Sequence, residues 1–255
     1  MDDEVAGQPA TIIGSYLSPY VRKVLVCLDL KGIDYQIDPI VPFFGGDEFT
    51  AVSPVRRIPV LLDDRVTLCD STVICEYLEE RYPSPSLQPS RIEDRARARW
   101  LEEFADTRMG EVFIWRLFNE IVIRRFVWGE PTNESVVRHA RESEIPEILD
   151  YLESALPGDG GSFFGEIGIA DIAVATFFRN AGFAGFAVDA ERWPRASAFV
   201  ANTLDHPGFR KLRPFEELSL KTPIPQQRDA LAAAGAPVTQ QSYGTDIPRR
   251  GVLSI

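Results

Sequence analysis

The chain has little of what metal or disulfide chemistry needs. Of its 255 residues only three are cysteine and two are histidine. Cys27, Cys69 and Cys75 form no CxxC and no zinc-ligand spacing, so the expectation is free, buried thiols in a reducing cytoplasm. His139 and His206 lie far apart in sequence, which argues against a histidine-based metal site or triad, and no metal is expected. No run of 18 apolar residues occurs, so no membrane span is expected. The N-terminal MDDEVAGQPA is acidic and lacks the basic-then-apolar order of a signal peptide, which gives a cytoplasmic expectation. Basic residues are also outnumbered: 27 Lys and Arg against 38 Asp and Glu leave a net charge of -11 at pH 7. Nucleic acid and anionic membrane are therefore poor partners. A small anion is still allowed, because a local positive site can exist on a negative protein.

What is present is an ordinary globular composition. Hydrophobic residues make up 45% and charged residues 25%, enough for a sizeable core in one large domain or two ordinary ones. The most informative stretch is Ser15 to Leu28, SYLSPYVRKVLVCL. Val21, Val24, Leu25 and Leu28 mark one face of a helix. Ser18 suits the N-cap and Pro19 the first helical position. Thr11-Ile12-Ile13 just before reads as a short buried strand. Strand, tight turn and helix start place the Ser18 hydroxyl beside free N–H groups at the positive end of a helix dipole, where an anion can be held. A serine there can equally do nothing but cap its helix.

Residues 10–83 alternate strands and helices in the order β-α-β-α-β-β-α, which predicts a small mixed sheet covered by helices. The first helix should end at Lys31-Gly32, a cation followed by a C′ glycine. The second strand is expected over 35–41, with Pro39 arguing for an edge position or an early end. Residues 42–46, PFFGG, read as a loop, and Asp47 opens a short helix through Val52. Val60-Leu61-Leu62 and Val66-Thr67-Leu68 form a hairpin around Asp63-Asp64-Arg65. Asp70-Ser71 opens a helix that ends before Pro83.

The proline- and serine-rich residues 84–90 read as a linker. Beyond them no strand pattern is found, so 91–220 is expected to be all-helical. Residues 92–127 form one long helix or two. A helix over 134–156 should be kinked or divided by Pro146. Ile169 to Phe183 is apolar all round and should be the buried central helix, with Gly168 as its N-cap and Asp171 reaching back to the cap N–H. Residues 221–255 form a C-terminal extension without clear period. It is either a loose tail or a segment draped over the protein that narrows a site.

Two helix starts in the first domain carry polar residues, and both follow strands of one small sheet. Ser71 can offer a hydroxyl and a helix-start N–H to a carboxylate, and Asp70 can accept from an ammonium. Together these describe an amino-acid terminus. Ile58-Pro59 is a candidate cis bond, since X-Pro bonds tolerate cis. Such a turn would leave the Ile58 backbone free to pair with a ligand peptide. One site would then recognise an amino-acid head, a peptide bond and an anion.

At this point the sequence resembles the glutathione transferase superfamily. The resemblance is carried by SPYVRKV at 18–24, RRIPVLL at 56–62, LCDSTVICEYLEERYP at 68–83 and FFGEIGIADIAVA at 163–175, and it covers about residues 11–218. It implies a thioredoxin-like α/β N-terminal domain followed by an all-α helical-bundle C-terminal domain, usually in a cytosolic homodimer. It implies that Ser18 is the catalytic serine of a serine-type class such as tau or zeta, donating its hydroxyl to the sulfur of glutathione as co-substrate. It also implies that Ile58, before Pro59, pairs with the cysteinyl backbone, that Asp70 and Ser71 hold the γ-glutamyl end, and that Arg57 reaches the glycine carboxylate. Phe43 and Phe44 either cap the glutathione site or simply pack.

The second substrate, a small and largely apolar electrophile, is expected against Tyr16, Leu17, Met109, Val112, Phe113 and Arg116; the stripe from Met109 to Arg116 can equally be plain interdomain core, and Arg116 in it could greet an anionic electrophile. Transferase, peroxidase, isomerase, dehalogenase and ether-cleaving lyase activities all fit. So does a non-catalytic ligand-binding or protein-interaction module, as in relatives of the stringent starvation protein A. Ser18-Pro19-Tyr20-Val21 lacks both cysteines of the glutaredoxin CPYC, which excludes dithiol exchange by that route. Two departures stand out. Asp70 replaces the usual glutamate, and Gly168 replaces the usual Ser or Thr cap, which should cost stability rather than function.

Overall fold

A computed structural model describes residues 9–250. The chain divides into two compact units. One is built from residues up to Pro85 together with those from Lys211 on, and the other is Ser86–Arg210.

The first unit opens with β1 (Ala10–Ile13), α1 (Pro19–Leu30), β2 (Tyr35–Asp38) and α2 (Asp47–Val52). It continues with β3 (Val60–Leu62), β4 (Thr67–Cys69) and α3 (Ser71–Arg81). The strands order β2-β1-β3-β4. β1 and β2 are parallel, and the other two pairings are antiparallel. This is the mixed sheet that the sequence predicts, with β2 at the edge. β2 ends at Asp38, directly before Pro39, which cannot donate to a ladder. α1 ends as expected. Gly32 has φ 66, and Ile33 N donates back to Leu28 O. The buried Lys31 reaches from there to Tyr82 O and Pro85 O beyond the end of α3, where cations suit the free carbonyls.

The register decides where function can sit. Ile13 is paired with Asp38 on one side and Val60 on the other, and Val60 with Cys69. These four residues form a row across one end of the sheet. The Gly14–Ser18 loop, the Ile58-Pro59 turn, the Asp70 turn and the loop after β2 all leave from that row. Ile13, Ile40, Phe49 and Val60 form a core cluster beneath them, with Ile58, Cys69 and Tyr243 packed against it.

The helical unit begins with Ile92–Phe104, which runs on without a break through Ala105–Ile123, in wider π turns, to Arg124–Val127. The next run is Glu134–His139, Ala140–Glu144 and Ile145–Ala155. Pro146 does not divide it. A wide turn, in which Ile145 N donates to Ala140 O, takes up the proline. The central helix Ile169–Phe183 is buried along nearly its whole length.

Gly168 corrects one expectation. Ile169 N donates to Leu87 O at 2.9 Å, and a Cβ on Gly168 would stand 2.6 Å from that same oxygen. The glycine is therefore there for room, and a serine cap would collide with backbone. Asp171 supplies the polar half of the cap, accepting from Gly168 N and Phe163 N at 2.9 Å each. Burial pushes its carboxyl up to about 6 against those two donors.

As far as residue 250 the C-terminal extension is attached to the first unit; its last five residues lie outside the described ones. Arg213–Lys221 and Ile224–Ala233 are helices of the first unit. Val238 then bridges Ile37 of β2 in parallel, and Gly244 bridges Gly45.

Candidate functional site

Ser18 is the N-cap of α1, with its side chain accepting from Val21 N at 3.3 Å. The cap reading and the site reading are therefore compatible. The hydroxyl accepts from the helix, and its own proton has no acceptor among the described residues. An O–H that already accepts a hydrogen bond is a polarised donor. The loop before it is fixed by backbone: Ser18 N donates to Ser15 O, and Leu17 N to Ser15 Oγ. Arg22 Nη2 holds Tyr16 O, and the same guanidinium pairs with Glu216 in a fully buried ion pair.

Gly14 brings a second segment in. It has φ 152, and a Cβ there would meet Val21 Cγ2 at 2.4 Å and Ile58 Cβ at 3.2 Å. Ile58 thus lies beside the first turn of α1. The Ile58-Pro59 bond is cis, as the sequence suggests. The N–H and C=O of Ile58 make no hydrogen bond among the described residues, so this peptide edge is open to a ligand backbone. Arg57 is exposed, and its guanidinium has no partner among the described residues.

The third segment is the start of α3. Asp70 sits at φ 79, ψ 130, a region in which a non-glycine residue is held only by its surroundings. Its Oδ1 accepts from Thr72 N and Val73 N, while Oδ2 of this exposed residue has no partner among the described residues. Ser71 follows, nearly buried. Lys23 Nζ, wholly buried, donates to Thr72 Oγ1 at 2.9 Å and ties the starts of α1 and α3 together. One end of the sheet therefore gathers a polarised hydroxyl at a helix N-terminus, an unpaired peptide edge, a carboxylate oxygen and a helix-start serine.

The other expected site residues fall differently. Phe43 and Phe44 form a half-buried turn whose carbonyls accept from Arg249 N and Thr245 N, each at 2.7 Å. Leu17 is half-buried beside Ser18. Tyr16 is a correction. Its side chain is 1% exposed and its ring lies 5.2 Å from that of Phe215, so it belongs to the core. Met109, Val112 and Phe113 have no exposed surface. Phe113 packs on Phe178 and Phe186. This stripe is core, so it offers a substrate no surface. Arg116 is held between Glu144 and Glu111, which neutralise the charge that an anionic electrophile would need.

Sequence reading missed Arg56 and Asp38. Arg56, at φ 52, sends its guanidinium to Gly45 O (2.8 Å) and Thr50 Oγ1 (2.6 Å). Two adjacent arginines in RRIP give no sign that one points inward. Asp38 is a fully buried acid in an edge strand, and no local pattern announces partners some 200 residues away.

Comparison with known proteins places the chain in a family. The family model for the glutathione S-transferase N-terminal domain matches residues 12–86, and that for the C-terminal domain matches 135–202. Maleylacetoacetate isomerase of Pseudomonas aeruginosa is 31% identical over 205 residues, covering 78% of this chain and 93% of the relative. The Rattus norvegicus maleylacetoacetate isomerase is 31% identical over 200 residues, covering 75% and 86%. A glutathione S-transferase structure from Rhodospirillum rubrum F11 aligns with a TM-score of 0.74 at 29% identity, over 80% of this chain and 91% of that one. With both domain models in chain order and a relative above 30% identity along almost its full length, this chain belongs to the glutathione S-transferase family of enzymes.

Proposed function

We propose that this protein uses glutathione as co-substrate and that Ser18 lowers the pKa of its thiol for attack on a small electrophile. The observation that carries the reading is the Ser18 hydroxyl, which accepts from Val21 N and whose own proton has no acceptor among the described residues. A free thiol has a pKa of about 8.5, so only a few per cent is thiolate at pH 7. A hydrogen bond to a charged partner contributes about 1.5–3 kcal/mol, and the α1 dipole adds about 0.3–1 kcal/mol. Together they lower a thiol pKa by about one to three units. The bound sulfur is then largely thiolate at neutral pH, and no covalent bond to the enzyme is needed.

In this reading Ile58 pairs with the cysteinyl peptide. The γ-glutamyl ammonium meets Asp70 Oδ2, its carboxylate meets Ser71 and the start of α3, and Arg57 takes the glycine carboxylate. The relatives named maleylacetoacetate isomerase favour one reaction type among the several that fit. The thiolate adds to a double bond conjugated with a carbonyl, the resulting single bond rotates, and the thiolate leaves with the isomerised alkene. Glutathione is regenerated and the atoms balance. A cytoplasmic homodimer is part of the same proposal.

Calorimetric titration of glutathione into Asp70→Asn tests the placement. Asparagine still caps α3 and matches aspartate in shape, but it lacks the charge. The expected result is an affinity lower by about tenfold or more, the worth of a charge-assisted hydrogen bond. An unchanged affinity removes Asp70 from the site.

A further inference from the structure

We propose that the C-terminal segment Pro237–Arg249 is a strap that positions the glutathione site, with Asp38 as the positioning residue that holds it down. This rests on the reading of the site given above. Asp38 sits in the row at the functional end of the sheet, opposite Ile13. Its buried carboxylate accepts from Arg228 Nη1 (2.6 Å), Ser242 Oγ (2.8 Å) and Tyr243 N (2.7 Å). All three donors come from the last 28 residues of the chain, and none comes from a neighbouring strand. A buried carboxylate needs such donors: Ser242 and Tyr243 of the strap supply two, and Arg228, on the helix Ile224–Ala233 before it, supplies the third while also donating to Thr239 O and Gln241 O of the strap.

From Asp38 the strap runs along the edge of β2 and then over the Phe43 loop. Ile37 N donates to Pro237 O and Thr239 N to Ile37 O, so the strap pairs with the edge strand. Gly46 N donates to Tyr243 O at 2.8 Å, Thr245 N to Phe44 O at 2.7 Å, and Arg249 N to Phe43 O at 2.7 Å. Tyr243 packs against the cluster of Ile13, Ile40, Phe49 and Val60.

The far side of the same loop is gripped by Arg56, through Gly45 O and Gly46 O. Arg56 is two residues from Ile58, and Ser53 Oγ bonds both N and O of Arg57 between them. The contacts are thus continuous from strap to loop to Arg56 to the Ile58 peptide. Loss of the strap loosens the peptide edge that receives glutathione. It leaves Ser18 untouched, because Ser18 is held from α1.

The test uses two full-length variants. Asp38→Asn removes the charge that draws Arg228. Thr245→Pro removes both donors of that residue to Phe44 O, its N–H and its hydroxyl, on an exposed part of the strap, so the core is left intact. Three quantities are read: amide hydrogen exchange over residues 42–46, glutathione affinity by calorimetry, and the thiol pKa of bound glutathione from thiolate absorbance. The proposal predicts faster exchange over 42–46 and affinity lower by about tenfold, within the range of coupling through packed networks, with the bound thiol pKa unchanged in both variants. Faster exchange with unchanged affinity overturns it. A thiol pKa that moves together with affinity also overturns it, since the damage then reaches Ser18. If the wild-type protein binds no glutathione, the reading of the site falls and this proposal with it; if the wild type binds and the variants bind equally well, the proposal alone falls.

Discussion

In the proposed reading a single hydroxyl serves two purposes. Ser18 accepts from Val21 N to start α1, and its own proton, without an acceptor among the described residues, is offered to the thiolate. Gly168 shows the reverse case, a position where the usual polar cap is sterically excluded. Gly168→Ser is expected to destabilise the protein by about 1–3 kcal/mol, the cost of overpacking, measured by urea denaturation. By propensity alone a serine N-cap would match or better a glycine. Asp171 gives a pH signature. Its carboxyl titrates at about 6 in the folded protein and near 3.9 in the unfolded chain, so the folded state binds the proton more tightly. Its contribution to stability is fully present below about pH 4 and is lost as pH rises through about 6. The stability advantage of wild type over Asp171→Asn therefore shrinks by about 2–3 kcal/mol between pH 4 and pH 7, read from paired denaturation curves.

At the level of elements, the positions of α1 and α3 are set by buried polar ties. Arg22 pairs with Glu216 and also holds Tyr16 O, while Lys23 reaches Thr72. Glu216→Ala leaves the Arg22 guanidinium buried without its carboxylate, and a loss of about 3–5 kcal/mol is expected by chemical denaturation. Restoring the loss with an apolar pair at both positions would show that the pair itself adds little. The strands and helices over residues 10–81 were legible in the sequence because turn residues mark their ends: Gly32 after α1, Pro39 after β2, Asp63-Asp64 in the hairpin; the helix Ile224–Ala233 of the same unit was not. Pro146 was legible as an interruption, but its outcome was not, since a wide turn absorbs a proline without dividing the helix. The stripe of Met109, Val112 and Phe113 shows the same limit. Helical spacing reveals that one face is apolar, and only the packed neighbours Phe178 and Phe186 decide that it faces the core.

For the whole molecule, four short motifs in order sufficed to read the family. Ser18, Ile58 and Asp70–Ser71 each sit at a strand end, where local signals of cap, proline and turn coincide. The C-terminal strap was not legible, because its attachment is made by backbone N–H and C=O groups and by Asp38, Arg228 and Ser242. Such bonds leave no periodicity, and their partners lie some 190 to 204 residues apart. The acidic surface, at net -11, is consistent with small-molecule chemistry at a local site set by helix N-termini.

The role of Ser18 is read from the thiol pKa of bound glutathione, followed by thiolate absorbance across pH in wild type and Ser18→Ala. The expected bound pKa lies below the free value of about 8.5 by one to three units in wild type and returns most of the way to it in the variant. A bound pKa near the free value in wild type, or an equally low one in both proteins, would contradict the role given to Ser18.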